Sequence, residues 1–242
     1  TRTVYYVDNQ EVVELQQDGL RFFSVDEEEL EKQPVTIDWD ANAAEKAGYE
    51  HFMLKEIYEQ PKTINDTISP RIKDNDIVIE ELNMSDEEIK EITKIHIVAC
   101  GSAYHTGVTA KYVIEGLARI PVEVDVASEF RYRDPILQKG NMVIVISQSG
   151  ETADTLAALR ESKEKGFKVL GIVNVVGSSI AREADSVMYT WAGPEIAVAT
   201  TKAYSAQLTA LYMLAMKFAK VRGTVDQEKF AGMLTDLRCL PD

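Results

Sequence analysis

From residue 94 onward, short apolar segments alternate with helix-like segments, and this alternation constrains the fold more than any other feature. Five segments are rich in β-branched residues and read KIHIVAC, VEVDVA, NMVIVIS, KVLGIV and SVMYTW. Helical segments follow them, the last of which ends near Lys220. Such alternation predicts a parallel sheet with helices on both faces. We therefore expect an α/β fold: a three-layer αβα sandwich around a flavodoxin-like five-stranded parallel sheet, with a short β-rich and helical N-terminal extension.

The third predicted strand ends in a turn of hydroxyl groups, one amide and one glycine, residues 147–152, SQSGET. A helical segment follows, so the turn lies at a helix N-terminus, where free backbone N–H groups and the positive end of the helix dipole attract anions. Ser147, Ser149 and Thr152 would add neutral donors, and Gly150 would let the backbone approach a ligand. The turn therefore predicts a phosphate site, and an ordinary helix cap is the structural alternative.

Two more loops share this character, Cys100–His105 and residues 195–202, and both follow predicted strands. Ligands of open parallel sheets bind beyond the carboxyl ends of the strands, near the point where the strand order reverses. We therefore expect the three loops to converge on one site.

Together these loops carry a resemblance to a known family. The phrases ACGSAYH, SQSGETADT and EIAVATTKAYSAQL resemble the sugar isomerase (SIS) domain and, more narrowly, the first of the two SIS domains in the glutamine–fructose-6-phosphate aminotransferase family. Residues 49–61, YEHFMLKEIYEQP, are similar to the segment that joins the glutaminase domain to the isomerase half of that family. The resemblance implies a half-site for fructose 6-phosphate or glucosamine 6-phosphate in amino-sugar synthesis.

The resemblance also implies a domain organisation. It assigns 1–40 to the end of the glutaminase domain, 41–92 to a helical linker, 93–222 to the first SIS domain, and 223–242 to the connection to a second SIS domain. The family's glutaminase nucleophile is an N-terminal cysteine, whereas this chain starts with Thr1. Its isomerase base, ring-opening histidine and Schiff-base lysine lie in the second SIS domain and the C-terminal tail. We therefore expect a fragment with no catalytic residues of its own, which binds substrate and is inactive alone.

The resemblance assigns ten residues to substrate binding. They are Gly101, Ser102, Ala103, Ser147, Gln148, Ser149, Thr152, Val198, Ala199 and Thr200. Ala103 stands where many members have serine, so a contact through that side chain would be lost. Val198 is expected to act through its backbone, in a loop that closes over the sugar.

Three further residues near these loops have two interpretations each. Glu195 could bind a sugar hydroxyl or accept N–H groups of its own loop, and the second is favoured. Lys202 could face the phosphate or form an ion pair at a helix start. His105 could be a catalytic base, because histidine titrates near neutrality, but a packing or surface role is favoured.

The composition excludes several classes of protein. A net charge of −14 disfavours a general nucleic-acid binder, which needs basic surface. Two cysteines are too few for a disulfide scaffold and fit a cytoplasmic protein. No apolar run approaches the roughly 20 residues of a membrane span. We see neither metal-ligand spacing nor a dinucleotide-binding glycine motif, and predict no metal and no cofactor.

The partners implied are a phosphosugar, the second SIS domain and the glutaminase domain of a longer chain, and a second copy, because SIS domains commonly pair. An alternative function is the phosphosugar-sensing SIS module of a transcription regulator. Such regulators place a basic helix-turn-helix before the sensor, whereas the segment here is acidic and strand-rich.

The N-terminal part has its own patterns. Residues 1–40 predict short antiparallel strands with turns near Asn9 and Gly19. Residues 41–60 predict one helix that is stopped by Pro61. Ser85 is expected to cap the short helix that follows it.

Overall fold

The computed structural model describes residues 3–17, 19–36 and 45–242. The chain forms two compact units. One contains the described residues up to Ala47, and the other runs Gly48–Asp242. The predicted boundary between residues 40 and 41 lies outside the described residues, and the predicted domain limits stay predictions.

The first unit contains the short antiparallel strands that its sequence predicts. The strands are β1 Thr3–Val4, β2 Glu11–Leu15, β3 Leu20–Ser24, β4 Glu29–Leu30 and β5 Val35–Thr36. β2, β3 and β4 form one antiparallel sheet, and β1 pairs with β5. The buried Phe22 packs against Tyr5, with ring centroids 5.2 Å apart.

Two helices stand where one was predicted over residues 41–60. They are α1 Phe52–Tyr58 and α2 Gln60–Ile68. The prediction was wrong about Pro61, which lies in the first turn of α2 rather than ending a helix. Proline fits there because the first-turn N–H groups have no partner within the helix. Residues 41–44 of the predicted helix lie outside the described residues.

The remaining elements follow in chain order. They are a 3₁₀ helix Ser69–Arg71, β6 Ile72–Lys73, β7 Asp76–Ile77, a 3₁₀ helix Glu80–Leu82, α3 Asp86–Glu91, β8 Lys94–Ala99, α4 Gly101–Leu117, β9 Val122–Val126, α5 Ala127–Phe130, β10 Asn141–Ser147, α6 Ala153–Glu164, β11 Val169–Val173, α7 Ser179–Glu183, β12 Ser186–Tyr189, α8 Lys202–Arg222 and α9 Gln227–Cys239. Ser85 caps α3 as predicted: its side chain accepts the N–H of Glu88, whose carboxylate accepts the N–H of Ser85.

The five-stranded parallel sheet confirms the predicted fold class. Its strand order is β12-β11-β10-β8-β9, and each neighbouring pair is parallel. The order reverses between β8 and β10, as in the flavodoxin-like arrangement. The loops after these two strands therefore flank the crevice where such sheets bind ligands.

Alternating residues of the strands fill two separate cores, one on each face of the sheet. Ile97 and Ile144 pack with α4, α8 and α9 on one face. Val98 and Val145 pack with α5, α6 and α7 on the other. Because both faces are covered, the strands read as nearly continuous apolar runs.

Helix α2 attaches to the edge strand β12. The fully buried Arg71, just beyond α2, donates to the carbonyl oxygen of Tyr189 at 2.7 Å and to Glu81 at 2.8 Å. The hydroxyl of Thr67 donates to the carbonyl oxygen of Thr190. These bonds satisfy backbone acceptors that the edge of a sheet would otherwise leave open. Among the described residues, no helix is long and apolar enough to cross a bilayer.

Candidate functional site

The turn after β10 is built by hydrogen bonds among its own residues. Ser147 is buried, and its hydroxyl oxygen accepts the N–H of Gly150 at 3.0 Å and lies 3.0 Å from the hydroxyl oxygen of Thr152. Gly150 has a φ of +68°, and a Cβ there would lie 2.0 Å from the Oγ of Ser178. The turn therefore requires glycine at this position, both for its backbone conformation and for space.

The helix that follows this turn begins without a side-chain cap. Thr152 is the N-cap residue of α6, yet its side chain makes no capping hydrogen bond. Ser149 accepts the N–H of Glu151 at 3.2 Å, and Glu151 accepts the N–H of Ser179, in α7, at 2.7 Å. The N-cap side chain thus leaves the first N–H groups of this 12-residue helix to another acceptor. The side chain of Thr152 therefore does not provide the ordinary helix cap, and the phosphate site stays a prediction.

The loop after β8 places small residues at the start of α4. Gly101 has a φ of +57°, and Ser102 is exposed. Ala103 is half-buried and packs against the core beneath α4, so its side chain faces apolar neighbours. Cys100 is half-buried, and its Sγ accepts the hydroxyl of Thr155 at 3.9 Å. Of the predicted ligands in this loop, Ser102 offers a hydroxyl and Ala103 a backbone group.

The third loop, residues 195–201, is organised around Glu195. Its carboxylate accepts the hydroxyl of Thr200 at 2.8 Å and the N–H groups of Thr201 and Ala203 at 3.0 and 3.2 Å. A carboxylate in this position satisfies first-turn donors of α8 and complements its dipole. The favoured structural interpretation of Glu195 agrees with these contacts. Val198 projects fully into solvent.

Lys202 forms the kind of ion pair that one of its two interpretations predicts. Its side chain is buried, and its Nζ lies 2.6 Å from the Oε2 of Glu59. The ion pair therefore holds this charge away from solvent, at the first residue of α8. His105 is exposed on α4 and stacks edge-on against Tyr104.

The structure brings two of the three loops to neighbouring strands. Residues 101–103 follow β8 and residues 147–152 follow β10, on either side of the reversal in strand order. Residues 198–200 follow the edge strand β12. Asn174, after β11, connects the turn with the segment that precedes this loop: its backbone N–H donates to the carbonyl oxygen of Gln148 at 3.1 Å, and its side chain donates to the carbonyl oxygen of Gly193 at 2.7 Å.

Asn174 and Glu56 are not among the residues that the sequence predicts. The signal for Asn174 was available, because it is a polar residue directly after a buried strand at the same edge of the sheet. Glu56 gave no such signal. It lies on α1, is 2% exposed, and accepts the N–H groups of Ile196 and Ala197 at 2.6 and 3.2 Å.

One cluster of the described residues has the composition of a metal site. His96, Glu123 and Asp125 offer ligand atoms within 4.8 Å of one another. Both carboxylates are already ion-paired, Glu123 with Lys94 and Arg133, and Asp125 with Arg133 at 2.6 Å. The cluster is therefore balanced in charge as a network of ion pairs, and the absence of a metal stays a prediction.

Comparison with known proteins gives consistent results. A family model described as the SIS domain matches residues 88–217. A glutamine–fructose-6-phosphate aminotransferase (isomerizing) of Clostridium acetobutylicum is 57% identical over 243 residues, covering 100% of this chain and 40% of the relative. One of Methanosarcina mazei is 48% identical over 243 residues, with 100% and 39% covered. The chain thus spans about 40% of the length of these relatives.

Solved structures agree in fold. The C-terminal domain of glucosamine-fructose-6-phosphate aminotransferase from Francisella tularensis matches with a TM-score of 0.77 and 43% identity, over 82% of this chain and 55% of that one. A glucosamine-6-phosphate deaminase from Thermotoga maritima matches with a TM-score of 0.57 and 24% identity, over 76% and 53%. The second likeness concerns the fold alone.

Proposed function

Because the chain belongs to the SIS domain family, we propose that it is a sugar-phosphate-binding half-site of a glutamine–fructose-6-phosphate aminotransferase. The ligand is fructose 6-phosphate or the product glucosamine 6-phosphate. The relatives that share 57% and 48% identity with the chain carry this activity in their names. The whole reaction, conversion of fructose 6-phosphate and glutamine to glucosamine 6-phosphate and glutamate, would require the parts of the relatives that this chain does not span.

The uncapped start of α6 is the observation that carries the proposal. The phosphate would accept hydrogen bonds from the first N–H groups of the helix and from the hydroxyls of Ser149 and Thr152, with Gln148 beside them. Ser147 would contribute through the shape of the turn, because its hydroxyl is engaged with Gly150 and Thr152. Neutral donors and a helix dipole are sufficient for a phosphate monoester without a lysine.

The sugar would extend from this turn across the reversal in strand order. Gly101, Ser102 and the backbone of Ala103 would line one side of the crevice. Val198, Ala199 and Thr200 would close the other side. Binding of this kind contributes to catalysis by orientation, because it fixes the reacting carbons relative to acid and base groups supplied from elsewhere.

The partners follow from the same proposal. A second SIS domain and a glutaminase domain would complete the enzyme, and a homodimer is expected because SIS domains commonly pair. A cytoplasmic location agrees with the free state of Cys100 and Cys239.

Isothermal titration with fructose 6-phosphate and glucosamine 6-phosphate tests the proposal. We expect saturable binding by the wild-type chain and affinity at least about tenfold lower for Ser149→Ala, the loss of one hydrogen bond to a charged group. The control is Ser69→Ala, which removes a hydroxyl engaged locally with Asn65. Equal affinity of wild type and Ser149→Ala would place the phosphate elsewhere.

A further inference from the structure

Two adjacent charged residues of α1, Lys55 and Glu56, are both buried, at 5% and 2% exposed. Charged side chains are almost never so buried unless they are paired. Helix α1 therefore places two charged side chains in the protein interior, where each needs a partner.

Glu56 reaches the loop of residues 195–201 from 140 positions earlier in the chain. Its Oε1 accepts the N–H of Ile196 at 2.6 Å and the N–H of Ala197 at 3.2 Å. Successive N–H groups that converge on one oxygen form an anion-binding concavity in the backbone. The carboxylate therefore determines the path of the backbone immediately before Val198.

The other flank of the loop is attached to α1 and α2 as well. The Nζ of Lys202, the first residue of α8, is 2.6 Å from the Oε2 of Glu59, and Glu59 is 3.4 Å from the Nζ of Lys55. The hydroxyl of Ser205 donates to the side chain of Gln60. Both ends of the loop are thus fixed to the same helical segment.

Only one oxygen of the Glu56 carboxylate is hydrogen-bonded. Oε2 is buried and has no hydrogen-bond partner among the described residues. A buried carboxylate oxygen without a partner is unfavourable, because it loses its hydration without replacement. The two hydrogen bonds that Oε1 accepts from the loop account for the position of Glu56.

We propose that Glu56 is a positioning residue, which holds Val198 and Ala199 where they close over the sugar. This inference rests on the proposed function. Glu195 sets the conformation of the C-terminal part of the loop from within the loop, through Thr200 and Thr201. Glu56 sets the N-terminal part and makes the loop dependent on the position of α1.

The test compares two ligands in four proteins: wild type, Glu56→Ala, Glu56→Gln and Glu91→Ala. Fructose 6-phosphate should need the loop, whereas inorganic phosphate should need only the turn of residues 147–152. We expect Glu56→Ala to bind fructose 6-phosphate about tenfold more weakly, a loss of ~1.4 kcal/mol in binding free energy. Its affinity for inorganic phosphate should be unchanged. Glu56→Gln keeps an oxygen acceptor and should recover most of the loss.

Glu91→Ala is the control, because Glu91 is an exposed carboxylate at the end of α3 and precedes the amino end of β8. Amide hydrogen exchange by NMR gives a readout without ligand. In Glu56→Ala, the amides of Ile196 and Ala197 should lose protection, while those of Thr201 and Ala203 should keep it. Circular dichroism checks that each variant is folded. If Glu56→Ala is not, Glu56→Asp replaces it, because its shorter side chain withdraws the carboxylate from the N–H groups of Ile196 and Ala197.

The outcomes separate this inference from the proposed function. Unchanged fructose 6-phosphate affinity in a folded Glu56→Ala overturns the positioning role and leaves the proposed function standing. An equal decrease in the affinities for fructose 6-phosphate and inorganic phosphate in a folded variant also overturns the positioning role, because the effect would not be specific to the loop. If the wild-type chain binds neither ligand, the proposed function fails and the role toward a sugar fails with it, even if the two amides respond.

Discussion

The turn of residues 147–152 and the loop of residues 195–201 would share one ligand, but they are stabilised in different ways. The centre of the turn is fixed by the bonds of Ser147 with Gly150 and Thr152, which lie at most five positions away. Its rim is also bonded to the segment after β11, through the N–H groups of Asn174 and Ser179. The loop depends in part on Glu56, which is 140 positions from Ile196. Hydrogen bonds between residues close in the chain form whenever the strand and helix beside them form. A contact between residues far apart in the chain, such as that of Glu56, makes the conformation of the loop depend on how α1 packs.

This difference has a functional meaning under the proposed function. A phosphate monoester has the same shape in substrate and product, so a rigid turn suits it. The sugar chain changes during the reaction and must enter and leave, so a loop whose position depends on a separate helix suits it better. Loops that close over ligands are commonly less stable than the elements that carry them.

The most disruptive change to the turn should be Gly150→Ala. The new Cβ would lie 2.0 Å from the Oγ and 2.5 Å from the Cβ of Ser178, at a φ of +68°. Rotation of Ser178 cannot remove the second contact, so we expect a loss of about 3 kcal/mol in the free energy of unfolding, from overpacking and backbone strain. Urea denaturation measures it.

Gly116→Ala is the matched control. Gly116 lies in α4 with open space where a Cβ would be, so alanine there should stabilise the chain by up to about 1 kcal/mol. Unfolding of Gly150→Ala at the urea midpoint of wild type would show that the turn is less constrained than its geometry indicates.

Glu195→Ala should have the next largest effect, and it acts on the loop. Three donors lose their acceptor: the hydroxyl of Thr200 and the N–H groups of Thr201 and Ala203. We expect a loss of about 2 kcal/mol in the free energy of unfolding, because hydrogen bonds to charged groups contribute more to stability than neutral ones. Amide exchange should increase at Thr201 and Ala203, and Glu195→Gln should show a smaller increase. Full retention of protection in Glu195→Ala would exclude its capping role.

The same contrast explains what the sequence could reveal. The five strands, their parallel order and the turn at Ser147 were predictable because each is a contiguous pattern, and both sheet faces are apolar. The favoured role of Glu195 was predictable because the donors that its carboxylate accepts are within eight residues. The interpretation of Pro61 failed, since a proline that begins a helix and one that ends a helix look alike when two helices are adjacent.

The contribution of Glu56 could not be read from the sequence. Lys55 and Glu56 are the two charged residues of the otherwise apolar and aromatic helix α1, FMLKEIY, and neither its 3.6-residue period nor its composition identifies them as the buried ones. Their burial arises only when the loop after β12 returns over α1. Long-range contacts of single charged residues have no sequence period, so they escape pattern analysis.

Two serines of the turn should separate shape from ligand contact. Ser147→Ala removes the acceptor of the Gly150 N–H in a buried position and should cost about 1 kcal/mol of stability. Ser149→Ala removes a half-buried hydroxyl and should cost less than about 0.5 kcal/mol, yet weaken phosphosugar binding more. Urea denaturation and titration of the same two variants give both numbers. The reverse order in stability would assign the shape of the turn to Ser149.

The smallest expected effect is a dependence of the free energy of unfolding on pH. It should affect the turn of residues 147–152 and the loop of residues 195–201 equally. Burial lowers the pKa of His96, as does the nearby Lys94, against the opposing influence of Asn141, Glu123 and Asp125. The unfolded chain, with a pKa of about 6.5, therefore binds this proton more readily than the folded chain. Stability should be complete above that pH and decrease as the pH falls below it.

Urea denaturation at pH 7.5 and pH 5.5 checks this, with His96→Gln compared with His105→Gln. Other groups titrate in the same range, so the quantity to compare is the change on acidification. That change should be smaller in His96→Gln than in wild type, whereas His105→Gln controls for the replacement of an exposed histidine. The stability costs of Gly150→Ala and Glu195→Ala should each be the same at both pH values. A cost that changes with pH for only one of the two would show that the sheet interior around His96 is coupled to that region.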